Sequence, residues 1–204
     1  MLQETFIILL TKYSSNHELI NKLWLEIEKH YSSKKRYYHT LQHLDNLLIQ
    51  LNKVKTSIQD WDTVLFSLYY HDIIYNALKS DNEEKSAELA VNRMQQLAIP
   101  SQMIEVCKQQ ILATKSHLIN QQTDTNYFTD ADLSVLGQDW EIYFEYCKNV
   151  RKEYSYYPNL IYNAGRKKVL KHFLAMDSIY KTDYFFNEFE KQAKQNLMNE
   201  LALL

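Results

Sequence analysis

Glycine and proline are scarce in this chain: two of each in 204 residues, at Gly137, Gly165, Pro100 and Pro158. Sheet proteins need turn residues at short intervals, so the scarcity argues against strands and for long helices. Cysteine is scarce too. Cys107 and Cys147 lie far apart in no metal-type spacing, which reads as free thiols in a reducing compartment rather than a disulfide framework. No apolar run approaches the roughly twenty residues of a membrane span, and the N-terminus lacks the charged start and small-residue cleavage site of a signal peptide. The expectation is a cytoplasmic chain with no membrane partner. Charge of one sign is also missing: 23 Lys+Arg against 25 Asp+Glu give a net −2. Without a basic stripe, no nucleic-acid footprint is indicated. The length suits one sizeable core, so one domain is expected.

What is present is helical periodicity. LQETFIILLTK forms a short first helix. Asn16 caps a second, with Leu19, Leu23, Trp24 and Ile27 as its buried face. SSKKRYYHT is a polar connector. Leu41, Leu44, Leu47, Leu48 and Leu51 mark a third helix whose first turns also carry His39 and His43. A helix from Trp61 follows. Asp81 and Glu84 have the form of a capping box that opens the next. Pro100 starts another, running to about Lys115. NQQTDTN is the clearest loop, and a short helix over 130–136 stops at Gly137. Trp140, Tyr143, Phe144, Cys147, Val150 and Tyr154 face inward from the next helix. Pro158 opens one through Phe173, and Thr182 or Asp183 caps the last.

Chemistry concentrates at WDTVLFSLYYHDIIYN, residues 61–76. An apolar helix runs into His71-Asp72, and the apolar run resumes at Ile73-Ile74. Burying such groups unpaired costs several kcal/mol, roughly, so they are paired or bind a metal. The plain alternative is a His and an Asp satisfied by backbone donors or an Arg. Partners exist on either side. His39 and His43 are four apart, a spacing that can chelate one ion and also one that surface histidines show by chance. His43 precedes His71 by 28 residues, room for one helix and a return, so two antiparallel helices place both at one level. DADLS adds Asp130 and Asp132. Mixed N and O donors suit divalent Mn, Fe, Co, Zn or Mg.

The order His43, His71-Asp72, Asp132 resembles the HD superfamily of metal-dependent phosphohydrolases. RYYHTLQH, YYHDIIYN, DNEEKSAELA, ILATKSH, DADLSVLG, RKEYSYYP and GRKKVLKHFL, spanning roughly residues 36 to 175, are similar to a branch of small bacterial HD proteins of about this length. The resemblance implies an all-α, single-domain HD-type helical bundle. Its metal-site core covers about residues 36–137, and additional C-terminal helices cover about 138–204. It implies His43, His71, Asp72 and a distal Asp as ligands of a divalent ion, and hydrolysis of a phosphomonoester or nucleotide by metal-activated water. The distal Asp is Asp132 if Ala131-Asp132 matches the family's alanine-aspartate pair, or Asp130 if counted back from Gly137. Residues two apart on a helix face differently, so one of them serves.

Other residues carry two readings. Asp72 and Glu83 are the catalytic carboxylates, Glu83 as general base or merely near a helix start. Arg36, Lys115 and His117 meet substrate phosphate, or are solvated cations and a helix-end histidine. Arg151, Tyr154, Tyr162 and Arg166 line a pocket or snorkel from the core. His17, His30 and His172 are structural or surface residues. Two other functions fit the same scaffold: a di-iron oxygenase, for which His39 and His117 are the spare histidines, and a non-catalytic metal- or ligand-binding regulatory protein.

Overall fold

A computed structural model describes residues 1–204. The protein is all-α: ten α-helices and two short 3-10 turns, with no strand. The chain divides into two compact units, Met1–Thr129 and Asp130–Leu204. The division falls inside one continuous helix.

The first unit holds helices α1 (Leu2–Thr11), α2 (His17–Tyr31), α3 (Leu41–Lys53), α4 (Trp61–Tyr70), α5 (Asn82–Gln96) and α6 (Ser101–Ala113), and most of α7 (Thr123–Asp132). Its centre is α4. Every residue from Thr63 to Tyr70 is buried, as an apolar-all-round helix must be. Asp60 caps it, accepting from the Thr63 N–H at 3.0 Å. Its polar groups are paired internally: Ser67 Oγ donates to Gln110 Oε1 on α6 at 2.6 Å, and Tyr69 Oη to the Leu2 carbonyl at 2.8 Å. Helices α5 and α6 pack along each other, and α4 packs along α6. Asn16 caps α2 as expected, its Oδ1 accepting from the Leu19 N–H at 3.0 Å.

Three local expectations change. Asp81 holds the cap position of α5 but makes no capping bond; its carboxylate pairs with Lys85 at 2.8 Å. His39 lies before α3, which begins at Leu41, so only His43 is on the helix. The stretch read as a loop at NQQTDTN is partly helical, because α7 starts at Thr123. Tertiary bonds explain the early start. Asp124 accepts from the Gln59 and Asp60 N–H groups at 2.9 and 2.8 Å. Asn126 clips the Asn120 backbone through both its amide atoms, each at 2.8 Å.

The second unit holds the 3-10 turn Leu133–Gly137 and helices α8 (Trp140–Glu153), α9 (Asn159–Leu174) and α10 (Asp183–Leu203). Helix α10 packs on the 3-10 turn. Gly137 is needed for that approach, not for a left-handed turn: a Cβ there would stand 2.5 Å from Phe189 Cβ and 2.6 Å from its carbonyl oxygen. Arg166 and Glu200 form a buried bidentate pair, Nε to Oε1 at 2.7 Å and Nη2 to Oε2 at 2.8 Å. Tyr143 also donates to Glu200. Burial opposes the Glu200 charge, but Arg166 and Tyr143 outweigh it and hold the carboxyl below its ordinary value. Arg166 therefore serves the core of this unit. Arg151 likewise joins α8 to α9, donating to the carbonyls of Tyr154 and Tyr157 and to Asn159.

Candidate metal centre

Helix α4 ends at Tyr70, and His71 follows in helical conformation as its cap, its N–H on the Ser67 carbonyl at 2.9 Å. Burial leaves the His71 side chain 1% exposed. Its Nδ1 lies 3.0 Å from the Leu68 carbonyl. A carbonyl only accepts, so Nδ1 carries a proton. The other ring nitrogen, Nε2, faces His43 Nε2, on the first turn of α3, at 3.1 Å. The third member is Asp72. Its Oδ2 is 3.1 Å from His71 Nε2, 3.8 Å from His43 Nε2 and 3.9 Å from His39 Nε2.

These separations are ones at which the three groups could hold one cation. Two atoms bound to an ion at about 2.1 Å stand about 3.0 Å apart at right angles and about 4.2 Å apart when opposite. The His43–His71, His71–Asp72 and His43–Asp72 separations all fall within that window. Neutral imidazoles and a carboxylate are donors that a divalent first-row ion accepts.

Helix α7 runs unbroken through Asp132. It sets Phe128 edge-on to the His71 ring, centroids 5.7 Å apart, and Asp132 follows about one turn later on the same face. One ligand-type atom from each of His43, His71 and Asp132 lies within 4.8 Å of the others.

Asp130 is committed elsewhere. Its carboxylate accepts from the Lys181 and Thr182 N–H groups at 2.9 and 2.8 Å and from Thr182 Oγ1 at 2.8 Å. Lys181 Nζ stands 3.1 Å away. Burial pushes the Asp130 carboxyl up, and the facing ammonium and Thr182 bonds oppose it. Thr182 sits at the α10 cap position yet makes no capping bond, because its hydroxyl is spent on Asp130. Replacing Asp130 by Asn should destabilise the protein, on the order of 3 kcal/mol, by stranding Lys181, while leaving metal affinity unchanged. Asp132→Asn should do the reverse. Chemical denaturation and Mn(II) titration of both variants check this. A metal defect confined to the Asp130 variant would make it the distal ligand.

The remaining sequence candidates are placed as follows. Arg36 is buried, and donates to the His39 carbonyl at 3.0 Å, the Asp72 carbonyl at 2.7 Å and the Ile73 carbonyl at 2.8 Å. Its guanidinium lies over the rings of Tyr31 and Tyr75, 4.7 and 5.5 Å from their centroids. It is a strut of the His71–Ile73 turn, with three of its five N–H donors on backbone carbonyls. Lys115 is bound to Glu84 and to the Ser80 carbonyl, and Glu83 lies 3.9 Å from it. Neither Lys115 nor Glu83 hydrogen-bonds or ion-pairs with His43, His71 or Asp72. His117 is held at φ 52°, a left-handed conformation uncommon outside glycine but one that histidine tolerates better than most residues.

Sequence reasoning missed Tyr31 and Tyr75. Tyr31 Oη accepts the Asp72 N–H at 3.2 Å, and Tyr75 stacks on His39 with centroids 4.1 Å apart. Both are among sixteen tyrosines, with nothing local to single them out. No family model, curated protein or solved structure matches the chain. No helix is long and apolar enough to cross a membrane.

Proposed function

We propose that the protein is a divalent-metal-dependent phosphohydrolase acting on a small phosphomonoester or nucleotide. The observation that carries the reading is the spacing of His43 Nε2, His71 Nε2 and Asp72 Oδ2, pairwise 3.1 to 3.8 Å. The motif order, His then His-Asp then Asp, adds its resemblance to the HD superfamily. A bound divalent ion would supply Lewis acidity to a phosphoryl oxygen and make water a nucleophile near neutral pH.

The chain's residues do the rest. His43 and His71 present neutral nitrogen donors from two helices. Asp72 and Asp132 supply negative charge that retains the cation. Arg36 and Tyr31 fix the Asp72 backbone, so the carboxylate is oriented before substrate arrives. His117 is the remaining candidate for a phosphate contact. In the overall reaction, water oxygen bonds to phosphorus, the ester P–O bond breaks, and the leaving alcohol takes a proton.

The test is protein purified without chelator, assayed for metal content and then for phosphate release from a panel of phosphomonoesters and nucleotides with Mn, Mg, Fe, Co or Zn. Metal-dependent release that disappears in His71→Ala is expected. Bound metal with no release from any ester would overturn the hydrolase reading.

A further inference from the structure

His39 stands outside the ligand set that the resemblance implies; the sequence offers it only as a chelating partner of His43 or a spare histidine. It lies outside α3, so helical spacing from His43 does not place it. Two other features do. Arg36 Nη1 holds the His39 carbonyl at 3.0 Å and the Asp72 carbonyl at 2.7 Å. One guanidinium nitrogen thereby ties the two backbones together. Ring packing fixes the imidazole: it stacks on Tyr75 at 4.1 Å and 28° and meets Tyr38 edge-on at 5.0 Å. The result brings His39 Nε2 to 3.9 Å from Asp72 Oδ2, nearly the separation of His43 from the same oxygen, 3.8 Å.

We infer that His39 is a third imidazole ligand of the same cation, a proposal that rests on the metal reading above. One carboxylate oxygen then faces three imidazole nitrogens, at 3.1, 3.8 and 3.9 Å. All three separations lie between the right-angle and opposite spacings, about 3.0 and 4.2 Å, that one ion imposes. The consequence reaches the choice of metal. His39, His43, His71, Asp72 and Asp132 make five protein donors. Five are too many for a tetrahedral zinc centre that keeps an open position. They suit a six-coordinate Mn(II), Fe(II) or Co(II) with one position left for water or substrate oxygen. Tyr75, stacked on His39, sets the orientation of this ligand and is a positioning residue.

Co(II) alone is the probe. Each imidazole bound through Nε2 keeps an exchangeable Nδ1 proton, which the paramagnetic ion shifts far outside the normal proton spectrum. The wild-type Co(II) protein in water should show three such signals and the weak visible absorption of a six-coordinate ion. His39→Gln should show two, with Co(II) affinity reduced at least about tenfold. A residue that only supported the site would lower affinity without removing a signal. Two signals in the wild type, unchanged in His39→Gln, would overturn the inference while leaving the His43–His71–Asp72 centre standing. A wild type that binds no Co(II) sinks both. The wild-type count decides the question even if His39→Gln fails to fold, and Tyr75→Leu, expected to keep three signals with weaker binding, separates positioning from ligation.

Discussion

Replacing Asp72 by Ala is expected to lower metal-dependent turnover at least about 100-fold and to abolish the thermal stabilisation that metal gives the wild type. A ligand present at 100 times its Kd stabilises by about 2.7 kcal/mol, or roughly 5–10 °C for a chain of this size. The wild type should therefore melt that much higher in Mn(II) than in chelator, and Asp72→Ala should melt alike in both. The metal-free proteins discriminate further. The backbone of Asp72 is held independently of its carboxylate, its N–H by Tyr31 and its carbonyl by Arg36. Alanine keeps both bonds. In chelator, then, the variant should match the wild type. A carboxylate serving structure alone would leave buried partners unpaired and cost about 1–3 kcal/mol. Melts of both proteins with and without chelator decide between these outcomes. A variant that melts lower in chelator, beside a wild type indifferent to metal, would reduce His71-Asp72 to a core polar pair.

The helices were legible because their cause is local. Asn16 caps, and the apolar residues of α3 recur at 3.6-residue spacing, whatever surrounds them. The His43–His71 meeting was legible for a related reason. One helix and a return connection fit 28 residues, and antiparallel packing then leaves little freedom. What failed to show was every feature decided by a distant partner. The start of α7 depends on backbone groups at Gln59 and Asp60 that sequence places 65 and 64 residues from Asp124. Gly137 does end the 3-10 turn, but its clearance for Phe189, 52 residues on, does not show in sequence. Thr182 looks like a cap, and Asp130 takes its hydroxyl. Arg36 shows the same limit at the site. A cation three residues before a histidine in an HD-like motif reads as a phosphate contact, because nothing in RYYH announces the carbonyls at Asp72 and Ile73.

That placement gives the second large effect. Arg36→Ala should destabilise the metal-free protein by about 3–5 kcal/mol, since three carbonyls lose charge-assisted bonds worth about 1.5–3 kcal/mol each and such terms add incompletely. It should also weaken metal binding, although Arg36 is no ligand, because the His39 and Asp72 backbones would no longer be tied to one another. Arg36→Lys should recover only part of the loss. A lysine brings one ammonium to a place where a planar fork reaches three oxygens between two aromatic rings. Phosphate recognition predicts a different pattern: an unchanged melt in chelator, unchanged Mn(II) affinity and a raised KM. Denaturation and Mn(II) titration need no substrate, so they separate the two readings before any activity is found. If Arg36→Ala keeps both its stability and its metal, the strut is dispensable and Arg36 returns to the substrate side of the site. If it loses both, the histidine cluster depends on a cation that never touches the ion, and the geometry of Asp72 is set from the far side of its own backbone.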